Sequence, residues 1–150
     1  YGLVGSEMCI RDSSGPLLDR IDIQCEITPV PFKDISKAAQ GEPSAEIRKR
    51  VIRAREIQAE RFSGQKGIHC NAQMSERMIH QYAEPDEAGI SMLRMAMERL
   101  SLSARAYNRI LKVARTIADL EGCEHVESHH LAEAIGYRTL DRGDWAERGI

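Results

Sequence analysis

The sequence predicts a mainly helical fold, a helical bundle preceded by a single strand. Apolar residues recur at spacings of three and four over residues 102–122, the most strongly patterned stretch of the chain, and weaker stretches follow the same period. Only residues 21–27 alternate apolar and polar residues with the period of two that is typical of a strand. Prolines and glycines separate these stretches, so each is expected to form an element of its own.

Residues 102–122 have helix signals at both ends. Ser103 is a good N-cap residue, Leu102 and Tyr107 are placed to form a hydrophobic staple, and Gly122 suits the left-handed residue that ends many helices. The apolar face between these ends consists of Ala106, Ile110, Val113, Ile117 and Leu120, with Tyr107, Leu111, Ala114 and Ala118 beside it. A face this broad predicts a helix at the centre of the bundle.

The opposite face of this helix is basic and consists of Arg105, Arg109, Lys112 and Arg115. Arg105 falls in the first helical turn, where the macrodipole makes a cation unfavourable by roughly 0.3–1 kcal/mol. A bound phosphate would offset this cost, because free N–H groups, helix dipole and guanidinium would all attract it. Alternatively, Arg105 points into water, where a surface charge costs little. The residues alone leave both interpretations open.

Residues 21–27 are predicted to form a strand that ends at Pro29 and Pro31, because proline supplies no N–H group to a sheet. No second strand is predicted downstream, and one strand is not stable by itself. The rest of its sheet is therefore expected to lie outside this chain.

Four further helices are predicted around the central one. Ser44 is expected to cap the first and Ser128 the last, with a short helix over residues 75–82 and another, opened by Asp86, through residue 100. The apolar residues expected to face the core are Ile47, Val51, Ala54 and Phe62 in the first helix, Ile90, Leu93, Met97 and Leu100 in the third, and Leu131, Ala134 and Ile135 in the last.

The first of these helices is the most basic segment, and Arg48, Arg50 and Arg53 are weak candidates for contact with nucleic acid. Acidic residues dilute the segment, and no aromatic side chain stands nearby for base stacking, so a solvated surface is the alternative. The whole chain has 21 basic and 23 acidic side chains and a net charge of -2. Any contact with DNA would therefore have to come from a local patch.

The four cysteines lie far apart and form no CxxC pair, which favours reduced thiols over a disulfide framework or a zinc site. The histidines near these cysteines match none of the usual spacings of a tetrahedral metal site, so no metal is predicted. These histidines are expected to be solvated, and they are His69, His125, His129 and His130. No segment is apolar enough to span a bilayer and no secretory signal is visible, which predicts a cytoplasmic protein without a membrane partner.

Three separated blocks of sequence carry a family resemblance. They are residues 14–23 (SGPLLDRIDI), residues 41–48 (GEPSAEIR) with 61–62 (RF) and 71–74 (NAQM), and residues 102–120 (LSARAYNRILKVARTIADL) with 133–138 (EAIGYR). Together they resemble the C-terminal end of the magnesium-chelatase-like AAA+ ATPases of bacteria, the ComM/YifB family. The blocks occur in the order of the family and span about residues 14–142.

The resemblance implies a domain division. Residues 14–31 would form the end of the α/β ATPase core, with the finger segment and the terminal strand, and residues 32–43 a connector. Residues 44–142 would form the helical C-terminal lid domain and residues 143–150 a tail. Residues 1–13 fit none of these parts and are expected to be a non-native leader, which would make the chain a fragment.

The resemblance also implies roles for two arginines. In related AAA+ ATPases a Leu-Leu-x-Arg-(Phe/Ile) segment carries the arginine finger, and Arg20 is its match in residues 17–21. Arg20 would act in trans, neutralising charge that develops at the terminal phosphate of ATP in the neighbouring subunit. Arg105 matches the sensor-2 arginine that contacts the phosphates of ATP from the start of a lid helix. The alternatives are a structural ion pair for Arg20 and an exposed position beside the cap for Arg105.

The complete protein is thereby expected to be a ring-forming, hexameric ATPase that uses ATP and Mg²⁺ and acts on DNA by branch migration during uptake and recombination. The Walker A and B motifs would precede residue 14, and residues 63–67 lack the spacing of a phosphate loop, so this chain alone is not expected to bind ATP tightly or to hydrolyse it. Two alternatives stay open: a motor subunit of a magnesium chelatase, and a helical DNA-binding module without enzymatic activity.

Overall fold

The computed structural model describes residues 20–25, 27 and 41–138. This part of the chain is mainly helical, as the sequence predicts. Helix α1 spans Ser44–Arg61, α2 Glu76–Tyr82, α3 Glu87–Arg99, α4 Ala104–Glu121 and α5 Ser128–Gly136, and a short 3-10 helix, Asn71–Gln73, lies between α1 and α2.

Helix α4 lies at the centre of the bundle. It contacts α1, the 3-10 helix, α2 and α5, and α3 packs against α5. The apolar residues that α4 buries are Ala106, Ile110, Leu111, Ala114, Ile117 and Ala118. Tyr107 and Val113 are partly buried against the same core, whereas Leu120 is exposed. The predicted central position of this helix is therefore confirmed.

The ends of α4 also agree with the prediction. The Ser103 hydroxyl accepts a hydrogen bond from the Ala106 N–H group at 3.2 Å. Gly122 has a φ of 77°, in the left-handed region, and the Cys123 N–H group donates to the Ala118 carbonyl at 2.8 Å. Both ends of the helix are thus set by local signals that can be read from the sequence.

Replacing Ser103 with alanine is expected to lower the free energy of unfolding by about 1 kcal/mol, because one buried N–H group in the first turn of α4 loses its acceptor. Urea unfolding of the chain measures this change. Ser75→Ala is the matched control, since Ser75 occupies the N-cap position of α2 but accepts no hydrogen bond there. An equal effect of both substitutions would contradict the assignment of Ser103 as the effective cap.

The other helix starts divide into one confirmed prediction and two wrong ones. The Asp86 carboxylate accepts from the Gly89 N–H group at 2.8 Å and caps α3, as predicted. Ser44 and Ser128, in contrast, are the first helical residues of α1 and α5, and the cap positions belong to Pro43 and Glu127. A residue that already has helical backbone angles is past the cap position, so neither serine serves as the N-cap.

Helix α1 is buried only from its middle onward. Ala54 and Phe62 are buried as predicted, but Ile47 is 42% and Val51 46% exposed. Ile90 in α3 is likewise 38% exposed, contrary to its predicted place in the core. These three residues follow the helical spacing of three and four, but in the described part of the bundle no neighbouring element covers them. Among the described helices, none is long and apolar enough to cross a membrane.

The strand predicted over residues 21–27 is not formed in the described residues 20–25 and 27. A strand needs a partner for its backbone groups, and no partner strand occurs in the part of the chain that the structure describes. The segment is attached to the helical bundle instead. The Gln24 N–H group donates to the Tyr137 carbonyl at 3.0 Å, and the Arg138 guanidinium donates to the Ile21 carbonyl.

Several predictions concern residues outside the described part. These are the non-native leader over residues 1–13, the start of the finger segment over 14–19, residue 26 of the predicted strand, the rest of the core segment over 28–31, most of the connector over 32–40, and the end of the lid domain and the tail over 139–150. They stay predictions. The described cysteines, Cys25, Cys70 and Cys123, are free thiols.

Candidate phosphate-contacting site

Arg105 is exposed in the first turn of α4. That turn contains no acidic residue, and in the described segments no carboxylate forms an ion pair with Arg105. The cation thus stands at the positive end of an 18-residue helix without local compensation. A bound anion would supply that compensation, and the exposed guanidinium could reach it.

Arg20 is exposed in a turn at the start of the attached segment, residues 20–25. Two residues later, the Asp22 carboxylate forms an ion pair with the Arg109 guanidinium of α4. Arg109 lies four residues after Arg105, hence one turn further along the same face of the helix. The structure therefore attaches the segment that contains Arg20 to the helix that contains Arg105.

Lys112 continues this basic face of α4. Its ammonium group donates to the Ala72 carbonyl at 2.9 Å. Burial, and next the neighbouring charge of Arg109, lower the pKa of Lys112, while the charge of Asp22 acts in the opposite direction. Asp22 is thus the described carboxylate whose charge acts on Arg109 and Lys112 of this face.

The predicted nucleic-acid residues of α1 are all exposed. Arg50 forms a two-pronged hydrogen bond with the Glu42 carboxylate, at 2.6 and 2.8 Å. Arg48 and Arg53 make no such pair with a described carboxylate, so they remain available for a polyanion. Arg61, at the end of the same basic segment, is only 12% exposed in its side chain and turns toward α4.

The prediction that Arg115 lies on the exposed basic face of α4 is wrong. Arg115 is 2% exposed, and its guanidinium donates to the carbonyls of Glu124 and Cys123 at 2.7 and 2.5 Å and to the Asp119 carboxylate at 3.1 Å. Asp119, fully buried, is the centre of a polar cluster that also includes Arg61 and Asn71. This cluster joins α1, the 3-10 helix and α4.

The Asp119 carboxylate accepts hydrogen bonds from both terminal nitrogens of Arg61, at 2.5 and 2.7 Å, and from the Asn71 amide at 2.7 Å. Burial alone would raise the pKa of Asp119. The hydrogen bonds from Arg61 and Asn71 and the charge of Arg115 outweigh burial, so the pKa is lowered. The carboxylate is thus ionised in the core and is matched by two cations.

The sequence contained a signal for this cluster. Arg115 lies four residues after Leu111 and three before Ala118, so the helical period places it within the apolar face. Asp119 follows Arg115 by four residues, the spacing at which side chains of opposite charge meet on a helix. Arg115 was predicted to lie on the exposed face of α4, and its pairing with Asp119 was not predicted.

A second polar cluster joins the end of α4 to the start of α5. The Glu121 carboxylate lies 2.9 Å from His129 Nε2 and 3.1 Å from His130 Nε2, and these three residues have the spacing of possible metal ligands. His130 is fully buried, so the expectation of a solvated loop residue is wrong for it. His69 and His125 are exposed as predicted.

Hydrogen bonding accounts for this second cluster without a metal ion. His130 Nδ1 accepts from the Glu127 N–H group at 2.9 Å, which fixes the ring proton of the neutral imidazole on Nε2. That proton points to Glu121, and a metal ion would need the same nitrogen free of it. His130 thus takes part in the capping box of α5 with Glu127 and also contacts Glu121.

The contact between Glu121 and His129 is expected to make stability depend on pH. The hydrogen bond to Glu121 raises the pKa of His129 above 6.5, and the bonds from His129 and His130 lower the pKa of Glu121 below 4.5. The stabilisation from His129 is complete below pH 6.5 and is lost as the pH rises through the pKa of His129 in the folded protein. The stabilisation from Glu121 is complete above pH 4.5 and is lost as the pH falls through the pKa of Glu121 in the folded protein.

His129→Gln should consequently reduce stability more at about pH 5.5 than at about pH 9, as urea unfolding at both values would show. His80→Gln is the control, because His80 is exposed on α2 and forms no described ion pair. A difference between wild type and His129→Gln that did not change with pH would contradict the role of this contact.

Residues 41–138 match the family described as magnesium chelatase, subunit ChlI C-terminal. The chain belongs to this magnesium-chelatase-like family. Among its relatives are competence protein ComM of Haemophilus influenzae, 42% identical over 130 residues, and the YifB proteins of Salmonella typhimurium and Escherichia coli, 43% and 39% identical over the same length. The predicted resemblance to ComM and YifB is confirmed.

Each of these alignments covers 86% of the chain but only 25% of the relative. The chain thus spans about a quarter of the length of these relatives. The match to the magnesium-chelatase-like family includes α1 to α5 and therefore Arg105, Arg109 and the cluster around Asp119.

Proposed function

We propose that this chain is the lid part of a ring-forming AAA+ ATPase that acts on DNA, and that it supplies two arginines to the nucleotide sites of the ring. Arg105 would contact the phosphates of ATP as the sensor-2 arginine, and Arg20 would be the arginine finger that reaches ATP in the neighbouring subunit. Membership of the magnesium-chelatase-like family supports the proposal.

The observation that carries the proposal is the position of Arg105. Its guanidinium is exposed at the positive end of α4, and no described carboxylate pairs with it. A cation in this position is unfavourable in the isolated domain and favourable beside a phosphate. The residues present therefore fit a nucleotide phosphate better than they fit a structural ion pair.

ATP with Mg²⁺ would supply the hydrolysable phosphoanhydride and the metal that neutralises its charge. The chain contains no GxxxxGK[ST] loop, so in this proposal the remainder of a protein as long as ComM holds the nucleotide. Arg105 would orient the phosphates from the lid side. Arg20 would offset negative charge that develops during hydrolysis, from the adjacent subunit.

An action on DNA is supported by two features. The relative from Haemophilus influenzae is named a competence protein, which points to the uptake of DNA. Arg48 and Arg53 are exposed on α1 without a described carboxylate partner, so they could contact a DNA backbone. We therefore propose branch migration of recombining DNA as the work that the ATPase performs.

Replacing Arg105 with alanine in the full-length protein is expected to weaken ATP binding by roughly tenfold or more, because a charge-assisted hydrogen bond to phosphate is lost, and to reduce turnover as well. Equilibrium binding of ATP and steady-state hydrolysis measure the two effects. Arg94→Ala, which removes an exposed cation of α3, is the matched control and should change neither. Normal affinity and turnover for Arg105→Ala would show that this arginine does not contact the nucleotide.

A further inference from the structure

We propose that Asp22 and Arg109 are positioning residues, whose ion pair attaches the segment containing Arg20 to helix α4 so that Arg20 and Arg105 are presented from one surface. This inference rests on the proposed function of the two arginines. It adds the element that would couple them within one subunit.

Three contacts attach the segment to the bundle. The Asp22 carboxylate accepts from Arg109 of α4, and the Arg138 guanidinium, which is 1% exposed, donates to the Ile21 carbonyl. The Gln24 N–H group donates to the Tyr137 carbonyl at 3.0 Å. The first two contacts join residues 87 and 117 positions apart, so the segment is fixed by tertiary structure and not by its chain neighbours.

The ion pair connects the helix that contains Arg105 to the segment that contains Arg20. Arg109 lies four residues after Arg105 on α4, which is about 6 Å along the helix axis. Arg20 lies two residues before Asp22, so their Cα atoms are separated by at most about 7 Å. A movement of α4 would therefore reach Arg20 through one ion pair and two residues of chain.

The negative charge of Asp22 favours the approach of the segment to this helix. Arg105, Arg109 and Lys112 make the exposed face of α4 basic, and Arg20 brings a further cation to it. Asp22 is the described carboxylate of the segment that pairs with Arg109, and its charge also opposes the lowering of the Lys112 pKa. Without it, the Arg109 guanidinium would lose the carboxylate that attracts the segment to this basic helix face.

A double-mutant cycle in the full-length protein tests the inference. Asp22→Asn and Arg109→Gln are each expected to lower kcat for ATP hydrolysis by roughly fivefold, the effect of losing a partly exposed ion pair, while the Kd for ATP stays within about twofold of wild type. The double variant should lose no more than either single variant, because both substitutions remove the same pair. Arg109→Lys, which keeps the charge, should retain most of the turnover.

Arg99→Gln, an exposed cation at the end of α3, is the control for a general effect of lost charge. Losses that multiply to about 25-fold in the double variant would overturn the inference, since the two residues would then act separately. Single variants with wild-type turnover would also overturn the inference. If Arg20→Ala still abolished hydrolysis in that case, the role of Arg20 as the arginine finger would be kept and only its coupling to α4 would be rejected. Wild-type turnover of Arg20→Ala itself would overturn both the proposed function and this inference.

Discussion

Arg20→Ala in the full-length protein is expected to lower the rate of ATP hydrolysis by roughly 10³-fold or more while ATP binding is retained. An arginine finger stabilises charge that develops in the transition state and makes little contact with bound ATP beforehand. The loss should therefore appear in kcat, measured at saturating ATP, and not in the Kd for ATP.

Arg94→Ala serves as the control here as well, since it removes an exposed arginine of α3, which contains neither proposed phosphate contact. The contrast with Arg105→Ala is also informative, because that substitution should weaken both binding and turnover. Turnover of Arg20→Ala close to the wild-type rate would rule out the finger and leave Arg20 as an exposed residue of the attached segment.

The largest expected effect on stability comes from Asp119→Ala, which should lower the free energy of unfolding by about 3–5 kcal/mol. The substitution leaves two guanidinium groups, those of Arg61 and Arg115, without their shared carboxylate in the core. It also removes one acceptor of the Asn71 amide and the salt bridge by which Arg61 of α1 contacts α4. Urea unfolding of the chain, followed by circular dichroism, measures the loss.

Glu98→Ala is the matched control, because Glu98 is exposed on α3 and forms no described ion pair; its effect should stay within about 0.5 kcal/mol. Asp119→Asn keeps the shape of the side chain but not its charge. The loss of stability for this variant should therefore lie between those of Glu98→Ala and Asp119→Ala. A loss below about 1 kcal/mol for Asp119→Ala would mean that solvent reaches the cluster and that the buried pairing contributes little.

The fold could be predicted where the signals are local. The serine cap, the left-handed glycine and the regular apolar spacing of α4 lie within the helix that they specify, and the carboxylate of Asp86 does the same for α3. Burial of Ile47 and Val51 could not be predicted in this way. Their spacing shows which face of α1 is apolar, whereas their burial depends on a neighbour that other parts of the chain would have to provide.

The candidate site could be predicted only in part. The position of Arg105 follows from the helix start and was available from the sequence. The ion pair between Asp22 and Arg109 joins residues 87 positions apart, and no spacing rule connects them. The burial of Arg115 and His130 was missed because charged and polar residues are usually exposed, and only their partners, Asp119 and Glu121, make the exceptions possible.

ATP hydrolysis by the full-length protein in the presence of different DNA structures tests the central claim most directly. Hydrolysis would be measured without DNA, with linear duplex and with a four-way junction, and conversion of the junction would be followed in the same reactions. We predict that the junction stimulates hydrolysis and is converted into duplex products, and that Arg20→Ala abolishes both. Hydrolysis that is the same with every DNA, without conversion of the junction, would contradict a DNA motor and favour a chelatase-type motor with another substrate.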